Sequence, residues 1–182
     1  MVWLLRLVTS AIHSVTIGEL DGHRSERVVR LQQTFERAGV SAKIAVDIVT
    51  ARWEKLILVG PYGGVGAVTR APLGVSRRVP ETRQLLEDAM REVFAVARTQ
   101  GAALPDDAVQ QAMASLDRGP PSGIGVMQRD IMAGRPSELE TQLGTIVRLA
   151  RTSDVEVPRH AFLYASLLPQ EQKARGEIEF PV

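Results

Sequence analysis

No cysteine occurs anywhere in the chain, which excludes disulfide staples and thiolate chemistry and gives no hint of a secretory framework. Aromatic residues are scarce, at 4% of the sequence, so the core must be aliphatic; a hydrophobic content of 45% is ample to build it from Leu, Val, Ile, Ala and Met. Neither sign of charge is in excess. Twenty-two basic side chains face 21 acidic ones, for a formal net charge of +1. That balance leaves no electrostatic footprint for nucleic acid or an anionic membrane, and neither partner is expected. The three histidines, His13, His23 and His160, are scattered, and none pairs with another at metal-ligand spacing. Long hydrophobic runs are missing too. No stretch reaches the roughly 18 apolar residues of a membrane span; the run from Leu56 to Val68 comes nearest, and Gly60, Pro61, Gly63 and Gly64 break it. The opening "MVWLLRLVTSAIHSV" lacks a basic leader and is interrupted by Arg6, which suits a signal peptide poorly. A soluble, cytoplasmic protein with no membrane contact and no metal is expected.

What is present is helix-forming sequence. The first twenty residues read as extended, and "SVTIGELDG" ends in the turn pair Asp21-Gly22. Ser25 to Ala38 reads as a helix with Val28, Leu31, Phe35 and Ala38 on one face and Gly39 as its stop. After the short extended link "VSAKIAVD", Asp47 is a suitable N-cap for a long helix through Trp53 and Lys55. Pro61 is expected to kink or end it, with another turn or two from Val65 to Arg70. "VPETRQLLEDAMREVFAVARTQG" is the clearest helix, with Pro80 in its first turn, Leu85, Leu86, Ala89, Met90, Val93, Phe94 and Ala97 as its core stripe, and Gly101 as its stop. Further helices are expected at about 106–116, 126–133, 137–150 and 158–168. Ser137 and Glu140 have the spacing of a capping box. Asp130 and Arg135 should pair or cap across a helix end, and His160 reads as an ordinary first-turn residue. The resulting fold class is mainly α with short N-terminal strands. Its expected organisation is an extended segment 1–22, a helical domain 23–170 and a polar, fraying tail 171–182.

The glycine-rich "GPYGGVG" invites a phosphate-loop reading, but it follows a helix. A dinucleotide fingerprint needs strand, turn and helix in that order, so that reading is rejected. Lys55 poses a sharper question, because it sits among Trp53, Leu56, Ile57, Leu58 and Val59. By itself such a residue reads as a surface lysine whose stem lies on apolar neighbours.

Two stretches taken together, "DIVTARWEKLILVGPYGGVGAVTRAPLG" and "MQRDIMAGRPSELETQLGTIVRLARTSDVEVP", resemble one family. The features are Trp53-x-Lys55, then Met127, Asp130, Gly134-Arg135, Ser137-Glu138, Gly144 and Val157-Pro158, with "IGELDG" and "FERAGVSAKIAVDI" upstream. They look like the C-terminal substrate domain of ketopantoate reductases, also called 2-dehydropantoate 2-reductases. The resemblance implies a helical domain like that of ketopantoate reductase and 6-phosphogluconate dehydrogenase-like enzymes. Full-length members add an N-terminal Rossmann domain that binds NADPH, so it also implies half of an enzyme.

The resemblance places a catalytic lysine at Lys55. Ketone reduction needs a proton for the developing alkoxide, and a lysine ammonium, with an ordinary pKa of about 10.4, can stabilise the oxyanion and then protonate it. It places at Glu138 a glutamate that binds a substrate hydroxyl or pairs with the lysine. The residues alone leave open a helix-start carboxylate that offsets the macrodipole. The sequence departs from the family at three substrate-binding positions. Asparagines four and eight residues beyond the lysine are replaced by Val59 and Gly63, and a serine before the second motif's methionine is replaced by Val126. Ser122 is a candidate substitute, or an ordinary loop serine.

Lys55 and Glu138 are therefore expected to converge on one cleft. The expected partners are a small 2-oxo acid, a Rossmann-domain chain and a second copy in a homodimer. NADPH serves the intact family, and none is expected to bind this chain alone. The rival expectation is a non-catalytic helical dimerisation or ligand-binding module of the same descent.

Overall fold

A computed structural model describes residues 14–181. The portion of the expected extended segment before Ser14, His13 included, lies outside them. The chain divides into two compact units, one ending at Ala51 and the other beginning at Arg52.

The first unit holds β1 (Ser14–Ile17), α1 (Glu26–Arg37) and β2 (Ser41–Ile44). The strands pair in parallel, Ser14 opposite Ser41 and Ile17 opposite Ile44, with α1 as the crossover that parallel strands require. The "SAKI" link is thus a paired strand. Ser25 caps α1 by accepting from the Val28 amide. The expected apolar face of α1 is only partly covered: Val28 is buried, while Leu31 is 45% exposed.

α2 (Ile48–Thr69) begins on a cap that the sequence announces. Asp47 accepts from the Thr50 amide at 2.9 Å and from its hydroxyl at 2.6 Å. These bonds hold the Asp47 carboxyl below its ordinary value, the hydroxyl contributing most. Of the two expectations for Pro61, a kink or an end, the second is corrected: α2 runs on to Thr69. A proline withholds one amide and crowds the preceding turn, but Ile57, Pro61 and Val65 are all buried on this helix, so packing keeps it intact.

The second unit continues with α3 (Leu73–Ser76), α4 (Pro80–Thr99), α5 (Ala108–Arg118), α6 (Val126–Met132), a π-helical turn (Glu140–Gly144), α7 (Thr145–Ser153) and α8 (Pro158–Ala174). α4 is the centre of the core. Leu86, Ala89, Met90, Val93, Val96 and Ala97 are all fully buried on it, and Gly101, at φ +79°, terminates it as expected.

Two buried glutamates cap helices far away in sequence. Glu92 of α4 accepts from the amides of Arg159 and His160, each at 2.9 Å, doing for α8 what the apolar N-cap Val157 cannot. His160 is therefore no ordinary first-turn residue: it is fully buried, and its Nδ1 lies 2.8 Å from the same carboxylate. Glu171 of α8 accepts from the Ser137 amide at 3.0 Å and the Ser137 hydroxyl at 2.6 Å. The expected capping box of Ser137 and Glu140 does not form, because Glu140 turns to Tyr164 and Arg148 instead. The segment after residue 170 is likewise no frayed tail at its start. α8 runs through Pro169 to Ala174, with Glu171 buried against Ser137 and Arg175.

Candidate functional site

The glycines of "GPYGGVG" are interior residues of α2, and they admit close neighbours. A Cβ on Gly66 would stand 2.3 Å from Gln128 Oε1, and one on Gly63 would stand 2.8 Å from Met127 Cε. α6 therefore docks on α2 at distances only glycine tolerates. Gln128, fully buried, fastens the junction by donating to the Ala71 carbonyl at 3.0 Å and accepting from the Gly125 amide at 3.3 Å. The rejection of a phosphate loop agrees with this geometry.

Gly63 lies where α2 meets α6 and the π-helical turn. A Cβ built on Gly125, the residue before Val126, would lie 3.3 Å from Gly63 Cα and 3.7 Å from Tyr62 Cδ1. Gln142 Oε1 would lie 3.8 Å from a Gly63 Cβ, and Gln142 Nε2 donates to Glu138 Oε2 at 2.8 Å. Upstream on α2, Lys55, Val59 and Tyr62 recur at intervals of four and three, which places them along one face of the helix. Lys55 and Glu138, 83 positions apart in sequence, thus belong to adjoining elements joined at Gly63 and Gln142.

Lys55 and Glu138 are both exposed, and they form no ion pair with each other among the described residues. The carboxylate's partner is the Gln142 amide, which the sequence did not single out. Gln142 Oε1 is buried without a partner. Val59 is half-buried, Gly63 is buried, and Val126 is 57% exposed at the first position of α6. Of these three apolar positions, only Val59 and Val126 present side-chain surface.

Ser122 is exposed on the loop between α5 and α6. That loop is held from below: the Leu73 amide donates to the Gly123 carbonyl at 2.9 Å, and the Gly74 amide donates to the Pro121 carbonyl at 2.8 Å. Arg77 Nη1 completes the clamp with the carbonyls of Leu116, Asp117 and Gly119. Ser122 itself makes no hydrogen bond through its hydroxyl among the described residues.

Tyr62 was also missed. Its ring is half-buried, and a Cβ on Gly123 would stand 3.2 Å from its Oη. Burial pushes its phenol above the ordinary value, while the positive charge of Arg129 pulls the other way. Asp130 and Arg135 pair as expected, with Nη2 to Oδ1 at 2.6 Å.

A cavity of about 680 Å³ lies elsewhere, lined by Ala67, Arg70, Ile131, Lys173 and Phe180 among others. It sits at the C-terminal ends of α2, α6 and α8, where Arg70 and Lys173 offset the negative helix ends. None of the candidate positions lines it. No group of three or more potential ligands for a metal ion occurs among the described residues, and no helix there is long and apolar enough to cross a membrane.

Comparison with known proteins bears on the same segment. The family model described as ketopantoate reductase PanE/ApbA C terminal matches residues 47–171. The 2-dehydropantoate 2-reductase of Caulobacter vibrioides is 31% identical over 133 residues, covering 73% of this chain and 45% of the relative. The crystal structure of 2-dehydropantoate 2-reductase from Methylococcus capsulatus superposes with a TM-score of 0.79 at 31% identity, covering 87% of this chain and 51% of that one. A dimeric ketopantoate reductase from Staphylococcus aureus has a TM-score of 0.80 at 20% identity, covering 89% of this chain and 55% of its own, which speaks to the fold alone. The chain spans about half the length of the curated relatives it matches.

Proposed function

Because the chain belongs to the family of ketopantoate reductase C-terminal domains, we propose that it is the substrate-binding and proton-donating half of an NADPH-dependent reductase of 2-oxo acids. The observation that carries this reading is the Gly63 junction, where α2, eight residues beyond Lys55, approaches the Gln142 amide that holds Glu138.

In this reading Lys55 stabilises the negative charge that develops on the keto oxygen and then gives that oxygen its proton. Glu138, held by Gln142, anchors the substrate on the neighbouring element. The described residues do not fit a dinucleotide: their glycine cluster is closed by Met127 and Gln128 inside a helix and offers no strand-to-helix turn. The hydride source belongs to a nucleotide-binding unit, in another chain or another segment, and no step through it is assigned to these residues.

The exposed Val126 and the glycine at position 63 favour a second reading, a ligand-binding or dimerising module without turnover. Combining the chain with a nucleotide-binding domain of a relative, NADPH and 2-oxo acids separates the two. Saturable NADPH oxidation that a Lys55→Ala variant abolishes supports the reductase; none with any 2-oxo acid supports the module.

A further inference from the structure

A 2-oxo acid carries a carboxylate beside the keto group, and a site that orients the ketone toward Lys55 must also hold that anion. The usual means is a hydroxyl or a planar guanidinium fork. Val126, at the start of α6, has neither. One turn further along α6, Arg129 has the fork, and its guanidinium has no acceptor among the described residues. The adjacent carboxylate does not neutralise it, because Asp130 is engaged by Arg135 through both Nε and Nη2.

The face of α6 that carries Arg129 looks toward Tyr62. Gly125, four residues before Arg129 and hence on the same side of the helix, lies against the Tyr62 ring at Cδ1. The Arg129 charge is felt at the Tyr62 phenol. Tyr62 Oη in turn forms no hydrogen bond among the described residues, although the ring is half-buried and packed on the core. Tyr62 also stands seven residues from Lys55, two turns along one face and about 10 Å away along the axis.

Resting on the reductase reading above, we propose that Arg129 and Tyr62 form the carboxylate subsite: the Arg129 guanidinium binds the substrate carboxylate and the Tyr62 hydroxyl donates to it, placing the keto oxygen toward Lys55. The subsite recognises 2-oxo acids through their anionic end and is indifferent to a hydroxyl at the far end.

The test is a titration of the full chain by NMR, with 3-methyl-2-oxobutanoate, its methyl ester and inorganic phosphate as probes. The acid is expected to shift signals of Lys55, Tyr62 and Arg129 saturably, and the ester to bind about tenfold more weakly, the loss of one charged hydrogen-bonding group. Arg129→Gln should weaken the acid about tenfold and erase the preference over the ester. Arg129→Lys, which keeps charge without the fork, should fall between. Tyr62→Phe should weaken the acid several-fold. Arg129 is exposed, so its variants are expected to fold, and their unperturbed spectra check this. Acid binding near Lys55 that Arg129→Gln leaves unchanged overturns the subsite while the reductase reading stands. Phosphate shifting the same signals as strongly as the acid overturns it as well, by showing nonspecific anion binding. No response near Lys55 to any 2-oxo acid removes the reductase reading, and the subsite with it.

Discussion

Glu171 lies 34 residues beyond Ser137, yet it accepts hydrogen bonds from both the Ser137 amide and the Ser137 hydroxyl. It also receives Nε of Arg175 at 2.8 Å. Burial raises the cost of its charge, but Ser137 and then Arg175 outweigh that and hold the carboxyl below its ordinary value.

A consequence for stability follows. Glu171→Gln should destabilise the chain at neutral pH by about 1–3 kcal/mol, the range for a buried group left with a poorer partner. A depressed folded-state pKa means the contribution is complete above the unfolded carboxyl value and is lost as pH falls through the folded one. Urea unfolding of both proteins between pH 7 and pH 3 should show the difference shrinking with acid. A constant difference counts against the assignment.

Packing at the α2–α6 junction gives a second expectation. A Cβ at Gly66 would displace Gln128 from its bonds to Ala71 and Gly125. Gly66→Ala should cost about 1–3 kcal/mol despite alanine's better helix propensity. Gly101, whose φ of +79° ends α4 with nothing within 4 Å of a Cβ, is the control for backbone strain without crowding. Thermal unfolding that leaves Gly66→Ala as stable as the parent contradicts the crowding.

Association is the third. Phe162 is 61% exposed and Val126 57%, and apolar surface of this kind is commonly covered by a partner. A homodimer of twice the 19.9 kDa chain mass is expected by light scattering. A 19.9 kDa species persisting at high concentration contradicts it.

The fourth concerns the cofactor. Holding a nicotinamide at contact distance from the ketone is a large share of hydride-transfer catalysis. The glycine cluster of α2, closed by Met127 and Gln128 inside a helix, is not the strand-to-helix turn that does this. The chain by itself is expected neither to bind NADPH nor to turn over ketopantoate. Fluorescence titration with NADPH and an absorbance assay at 340 nm check both; saturable oxidation lost in Lys55→Ala reverses the expectation.

Much of the fold is local and could be read. The α4 stripe, the Asp47 and Ser25 caps and the Gly101 stop each depend on residues within a few positions, so periodicity and capping rules suffice. What escaped is long-range. Glu92 and Glu171 look like surface acids on their own helices, and only the fold brings them to the ends of other elements. Pro61 reads as a kink or an end and the last helix reads as stopping at Leu168, yet α2 runs on past Pro61 with Val65 buried, and α8 past Pro169 with Leu167 and Glu171 buried. The parallel pairing of β1 with β2 has no local signature either. At the candidate site, Lys55 and Glu138 were reached through resemblance. Gln142 and Tyr62 are picked out only by their position beside Gly63 and Gly125, which the sequence does not reveal.

The central claim is that Lys55 and Glu138 serve one substrate, and Lys55 is well suited to a direct reading because Lys43 and Lys173 are the only other lysines. Reductive ¹³C-methylation keeps the charge and gives each a resolved signal. Titrating the methylated chain with 3-methyl-2-oxobutanoate should move the Lys55 signal saturably and leave Lys43 and Lys173 in place, and Glu138→Gln should weaken that response several-fold. A Lys55 signal that stays still while the acid binds elsewhere, or that responds identically in Glu138→Gln, contradicts the account.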